Sequence, residues 1–234
     1  MKKIYFIRHG ETDWNKKKLG QGSRNDIPLN KEGEKQSKIT GKYLNQYRQK
    51  DSKFDVILCS PLIRTKKTAE IIAKQINYKG NIIYFDELKE RDHGLISIGK
   101  TNEELKKDDF YKDYFNFYKL YEKIKDPIDR ILFYENNKKL ESIEKKYELE
   151  NDEHIIERVK IVLNFIEKSK YKKILVITHG GTIFNINRYL LNAYESPEGD
   201  FTNGSNCHIT MYIYKDDKYK LVCPPNTLHF GLYK

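Results

Sequence analysis

Four short segments concentrate residues fit for phosphoryl chemistry: Arg8-His9-Gly10-Glu11-Thr12, Ser60-Pro61-Leu62-Ile63-Arg64, Asp86-Glu87-Leu88-Lys89-Glu90-Arg91 and Thr178-His179-Gly180-Gly181. A phosphate monoester carries roughly two negative charges, and its binding favours planar Arg forks, helix N-terminal amides and glycines that let backbone come close. Arg8, Arg64 and Gly180 meet those needs. A neutral imidazole can attack phosphorus and become a phosphohistidine while cations offset the charge on the equatorial oxygens. Such a nucleophile must be fixed in one tautomer, and Gly10 permits a tight turn that offers a backbone carbonyl to the other ring nitrogen of His9. Departure of an alkoxide also needs a proton donor, so a carboxyl belongs on the leaving-group side.

Each segment follows a short apolar run: Ile4 to Ile7, Val56-Ile57-Leu58, Ile82-Ile83-Tyr84-Phe85 and Ile174-Leu175-Val176-Ile177. Such runs read as strands buried on both faces of a parallel sheet, and ligands gather beyond the carboxyl ends of such strands. Helical patterns lie between them. Lys31 to Gln49 carries Ile39, Tyr43, Leu44 and Tyr47, and Ile155, Val159, Val162, Leu163 and Ile166 form a second apolar stripe. Ser60-Pro61 reads as N-cap and first helical residue, and Gly180-Gly181 precedes a helix over Thr182 to Leu191. These are βα units joined by right-handed crossovers. Ile209 to Tyr214 and Tyr219 to Val222, joined by Lys215-Asp216-Asp217-Lys218, read as a closing hairpin. The segment over about 97–150 is dense in Lys, Glu, Tyr and Phe without a strand signal, and reads as inserted helices, either a solvated elaboration or a lid. The expected fold class is α/β: one domain over 1–234, a three-layer α/β/α arrangement with a mainly parallel central sheet, a C-terminal hairpin and a helical insertion over the site.

With 18 Tyr and 11 Phe in 234 residues, wholesale disorder is excluded. Lys plus Arg outnumber Asp plus Glu by 44 to 34, a net +10 that suits nucleic acid, anionic membrane or phosphorylated small molecules without choosing among them. No helix-turn-helix, zinc-finger or RNP-like sequence supports a nucleic-acid partner. Cys59, Cys207 and Cys223 stand far apart, which fits a reduced cytoplasmic setting and not a disulfide framework. The N-terminal apolar run is too short for a signal segment, and nothing approaches the ~20 apolar residues of a membrane span, so a soluble protein without a membrane partner is expected.

Taken together, Arg8-His9-Gly10-Glu11-Thr12 with Trp14-Asn15, Gln21-Gly22, Asp26-Ile27-Pro28-Leu29 with Gly33, Ser60-Pro61-Leu62-Ile63-Arg64-Thr65 with Thr68-Ala69, and Thr178-His179-Gly180 resemble the histidine phosphatase superfamily, also called phosphoglycerate mutase-like. The resemblance implies that His9 is the phosphorylated nucleophile, that Arg8, Arg64 and His179 form the phosphate pocket with Asn15 at its border, and that Gln21 and Gly22 line the substrate side. Glu90 falls where that family keeps its proton donor, with Glu87 as the neighbouring rival. Two departures stand near the site: three residues separate Gln21-Gly22 from Asp26 where two are expected, and Leu149-Glu150-Asn151 replaces the usual Gly-Glu-Ser.

The expected activity is phosphomonoester hydrolysis on a small anionic phosphorylated metabolite, without metal or cofactor. The rival within the family is a phosphoglycerate mutase, which would need 2,3-bisphosphoglycerate as primer. Mutases of that branch carry adjacent arginines in the insertion and a C-terminal tail over the site, whereas Arg130 stands alone here and the chain ends soon after His229. Readings from other classes are a metallohydrolase using His9, His179, Glu90, Asp92 and His93, and a non-catalytic binding module. His93, His154, His208 and His229 otherwise read as ordinary surface or packed histidines. The sequence leaves substrate identity and oligomeric state open.

Overall fold

The computed structural model describes residues 1–24, 26–46, 53–107, 112, 116, 120, 124, 133, 136, 138–191 and 205–233. Six strands, β1 (Lys2–Arg8), β2 (Val56–Cys59), β3 (Ile82–Tyr84), β4 (Lys173–Thr178), β5 (Ile209–Lys215) and β6 (Lys218–Asn226), form one sheet in the order β3-β2-β4-β1-β5-β6. The first four are parallel, and β5 and β6 close the sheet antiparallel. Register sets the site. Arg8 pairs with Thr178 and Cys59 with Ile177, so β1, β4 and β2 end side by side and deliver His9, His179 and Ser60 to one edge.

Strand alternation divides the core into two faces. Ile4, Phe6, Val56, Leu58, Ile174 and Val176 pack with Ile155, Val159, Val162 and Ile166 of helix Asp152–Lys168 and with Ile183 and Ile186 of helix Gly180–Leu190. Ile7, Ile57, Cys59, Leu175 and Ile177 pack on the other face with Leu44 of helix Lys31–Gln46 and Ala69 and Ile72 of helix Ile63–Gln75. The result is the expected three layers. Each fully buried Ile or Leu contributes about 1.5–3 kcal/mol by leaving water.

In chain order the helices are α1 (Asp13–Lys16), α2 (Lys31–Gln46), α3 (Ile63–Gln75), α4 (Gly94–Ser97), α5 (Asn102–Leu105), α6 (Lys138–Tyr147), α7 (Asp152–Lys168) and α8 (Gly180–Leu190). Much of the middle of the insertion expected over 97–150 lies outside the described residues, as do 47–49 of the helix expected over Lys31 to Gln49. Three expectations are corrected. β3 is a half-buried edge strand with Tyr84 45% exposed, because only β2 flanks it. Ser60-Pro61 does not start α3; the cap is Leu62, since the Ser60 hydroxyl is engaged elsewhere. Gly180 and Gly181 lie inside the first turn of α8, whose cap is His179 in extended backbone. Asn151 does cap α7, its side chain accepting from the His154 amide.

The hairpin turns on Asp216 and Asp217, at φ 50° and 55°, the two positive φ values of a type I′ turn. Beyond β6, a 3₁₀ turn (Leu228–Tyr233) packs on α2, where His229 Nε2 meets Thr40 Oγ1 at 3.0 Å. Burial pushes the His229 pKa down to about 4 from 6.5. Below pH 6.5 the unfolded chain gains a proton that the folded chain refuses until about pH 4, so this contribution, on the order of 3 kcal/mol, is complete above 6.5 and lost as pH falls to 4. Urea unfolding of His229→Gln is expected to show a flatter decline of stability between pH 6.5 and 4.5 than wild type. Among the described residues no helix is long and apolar enough to cross a membrane.

Candidate active site

His9 follows β1, with its amide on the Thr178 carbonyl at 3.0 Å and its side chain 2% exposed. Its Nδ1 lies 2.7 Å from the Gly10 carbonyl oxygen. A carbonyl only accepts, so Nδ1 carries the proton and Nε2 keeps its lone pair. Gly10 is required there: a Cβ would come 2.4 Å from the Gly33 carbonyl oxygen. Burial, then Arg64 and Arg8, hold the His9 pKa well below the ordinary histidine value, so the ring is neutral at pH 7.

The His179 ring centroid lies 5.2 Å from that of His9. His179 is fully buried, and burial together with Arg64 keeps it neutral as well. Its Nε2 meets Ser60 Oγ at 2.8 Å, while Nδ1 has no hydrogen-bond partner among the described residues. Arg64, the largest fully buried side chain, donates to the Gly22 carbonyl at 2.8 Å from the first turn of α3. Burial lowers the pKa of both Arg64 and Arg8, and the Glu90 carboxylate opposes that shift at each. Two guanidinium groups thus converge beside a helix N-terminus that begins at the buried Gly180.

Asn15 sits in α1, capped by Thr12 through reciprocal side-chain and main-chain hydrogen bonds. Its Oδ1 accepts from the Thr12 amide at 3.2 Å and from Asn206 Nδ2 at 3.1 Å, which turns its NH₂ the other way. Asn206 also donates to the His9 carbonyl at 3.1 Å, tying Asn15 to the end of β1. Gln21 is buried with Oε1 lacking a hydrogen-bond partner among the described residues, and Gly22, at φ +60°, supplies the carbonyl that holds Arg64. Glu90 accepts from the Arg91 amide at 2.9 Å and from the Gly181 amide, at the α8 N-terminus, at 3.3 Å. Glu87 instead offers its main-chain carbonyl to Arg158 at 2.5 Å. Of the two rivals, Glu90 is therefore the one whose carboxylate meets α8 beside His179.

A sequence profile described as the histidine phosphatase superfamily (branch 1) matches residues 4–227. The chain belongs to that family. It is 39% identical over 132 residues to a Bacillus subtilis (strain 168) protein named as the uncharacterized phosphatase PhoE, covering 56% of this chain and 62% of that one. The chain thus spans less than two thirds of that relative's length. A phosphoserine phosphatase mutant from Entamoeba histolytica, solved in complex with phosphoserine, has the same fold, with a TM-score of 0.68 at 24% identity over 98% of this chain and 99% of that one. So does a phosphoglycerate mutase from Bacillus anthracis str. Sterne, with a TM-score of 0.71 at 21% identity over 95% and 92%.

In this member of the histidine phosphatase superfamily the parallel register brings Arg8, His9, Arg64, Glu90, His179 and Gly180 to one sheet edge, and Asn15 joins them through Asn206. Sequence reading missed Ser60, Asn206 and Arg158. Arg158 carried a signal: it stands three residues after Ile155 and four before Val162, on the apolar stripe of α7. Among the described residues no group of three or more His, Cys, Asp and Glu is placed to hold a metal ion. The Asp92 carboxylate, one of the alternative ligands, is taken by Arg24 Nε at 2.8 Å and the Gly94 amide at 2.9 Å.

Proposed function

We propose that this chain is a phosphomonoester hydrolase working through a phosphohistidine at His9, on a small anionic phosphorylated metabolite. The observation that carries the reading is the neutral His9 ring, locked by Gly10 and set beside two guanidinium groups. In the first step Nε2 forms a bond to phosphorus and the ester P–O bond breaks, with Glu90 giving its proton to the departing alkoxide. In the second, the Glu90 carboxylate takes a proton from water, whose oxygen attacks phosphorus, and the P–N bond breaks to restore His9. Arg8, Arg64, His179, Asn15 and the Gly180 end of α8 hold the equatorial oxygens, while Gln21 and Gly22 face the substrate side.

This chemistry is complete without a cofactor, and a cytoplasmic enzyme fits it. The phosphoserine and 3-phosphoglyceric acid named in the complexes of the Entamoeba histolytica phosphatase each join a phosphate to a carboxylate, and we place both in the substrate class to be tested. The experiment is phosphate release from a panel of phosphomonoesters, these two included, in EDTA, run beside conversion of 3-phosphoglycerate to 2-phosphoglycerate with the bisphosphate primer. Release without isomerisation is the expected result. Isomerisation without net release would put a mutase in its place, and loss of all turnover in EDTA would overturn the metal-free mechanism.

A further inference from the structure

The segment that carries Glu90 is clamped from behind. Arg158 Nη1 donates to the carbonyls of Glu87 at 2.5 Å and Lys89 at 2.8 Å, gripping the chain on both sides of Leu88. The rest of the guanidinium fork lies on Glu150, with Nε at 2.6 Å from Oε1 and Nη2 at 3.0 Å from Oε2. Glu150 Oε2 in turn accepts the Asp92 amide at 2.9 Å, two residues beyond Glu90. Thr178 Oγ1 holds the Leu88 carbonyl at 2.7 Å and Thr182 Oγ1 the Lys89 carbonyl at 2.8 Å. Apart from the Arg158–Glu150 pair itself, every one of these contacts is to main chain, and none is to the Glu90 carboxylate, which among the described residues rests on the Arg91 and Gly181 amides.

A half-buried Arg–carboxylate pair is expensive to desolvate and is a poor stability device by itself. Its geometry serves placement: a rigid fork gripping two carbonyls and a carboxylate fixes the end of a short 3₁₀ turn (Asp86–Leu88) and the irregular residues after it that carry Glu90. We propose that the Arg158–Glu150 pair is the positioning unit of the proton donor, setting the distance from the Glu90 carboxyl to the leaving-group oxygen. This rests on the reading of Glu90 as the acid. The pair touches neither substrate nor the pocket arginines in this scheme, so it governs proton delivery and not phosphate binding.

The test is Arg158→Lys and Glu150→Gln, each assayed on an alkyl phosphate and on p-nitrophenyl phosphate, whose leaving group needs little protonation. Each variant is expected to lower kcat on the alkyl ester by about tenfold or more while the pre-steady-state burst of p-nitrophenolate and inhibition by inorganic phosphate stay within about twofold, since a displacement near 1 Å suffices for such losses in proton transfer. Ile72→Val, in the core on the opposite face of the sheet, supplies a destabilised control expected to show no such selectivity. Equal loss on both esters, or wild-type rates on both, would overturn the proposal. Should the charged variants fold poorly, Thr182→Val removes one hydroxyl from the Lys89 carbonyl and must show the same selectivity at smaller amplitude, or the proposal falls. If Glu90→Gln shows the leaving-group effect and these variants do not, the acid assignment survives and the positioning unit is wrong.

Discussion

His9→Ala is expected to lose turnover to below about one part in 10⁴ of wild type on every phosphomonoester, because the bond-forming nitrogen is gone and no other group in the pocket can replace it. His179 is its near neighbour, but its Nε2 is committed to Ser60. The variant keeps Arg8, Arg64 and the α8 N-terminus, so inorganic phosphate should still bind, measured by protection against thermal unfolding. That contrast separates loss of the nucleophile from collapse of the pocket. Normal turnover in the variant would end the phosphohistidine mechanism outright.

Glu90→Gln is expected to slow phosphorylation of the enzyme by alkyl phosphates by about 10²–10⁴-fold, with much smaller loss in the p-nitrophenolate burst. The substitution keeps the shape and one of the two oxygens, which meet the Arg91 amide at Oε1 and the Gly181 amide at Oε2, and the main-chain clamps on Leu88 and Lys89 keep the segment in place. It also removes a carboxylate that lies close enough to act on Arg8 and Arg64, and so close enough to repel a phosphate held between them. Inorganic phosphate should therefore bind the variant more tightly than wild type, a sign that a merely damaged site would not give. Equal losses on alkyl and aryl esters would assign Glu90 to positioning and leave the donor to be found elsewhere, with Glu87 the next to substitute.

The meeting of His9 with Arg8 and Arg64 was legible because these residues follow apolar runs, and parallel register levels the ends of those strands: Arg8 with Thr178, Cys59 with Ile177. The bond from His9 to the Gly10 carbonyl was legible too, since it needs only one residue and a glycine. Ser60 was read by its local habit as a helix cap, and tertiary structure overrode that habit by placing a histidine 2.8 Å away. Asn206 was invisible for a related reason, and Arg158, although its place on the apolar stripe marked it as unusual, gave no hint of what it would hold. Their targets, the His9 carbonyl and the carbonyls around Leu88, are main-chain groups distant in the chain, and nothing in a local pattern announces those targets. The edge position of β3 likewise follows from sheet order, which the apolar run Ile82 to Phe85 does not encode.

The most direct test of the central claim is to mix the enzyme in EDTA with a good substrate, quench into alkali within the first turnover, where phosphohistidine persists, and map any added phosphoryl group by peptide mass spectrometry. The account predicts one phosphoryl group, on the peptide carrying His9, formed and lost at rates compatible with turnover and absent from His9→Ala. Turnover with no phosphorylated peptide at any time, or with the group on another residue, would contradict it.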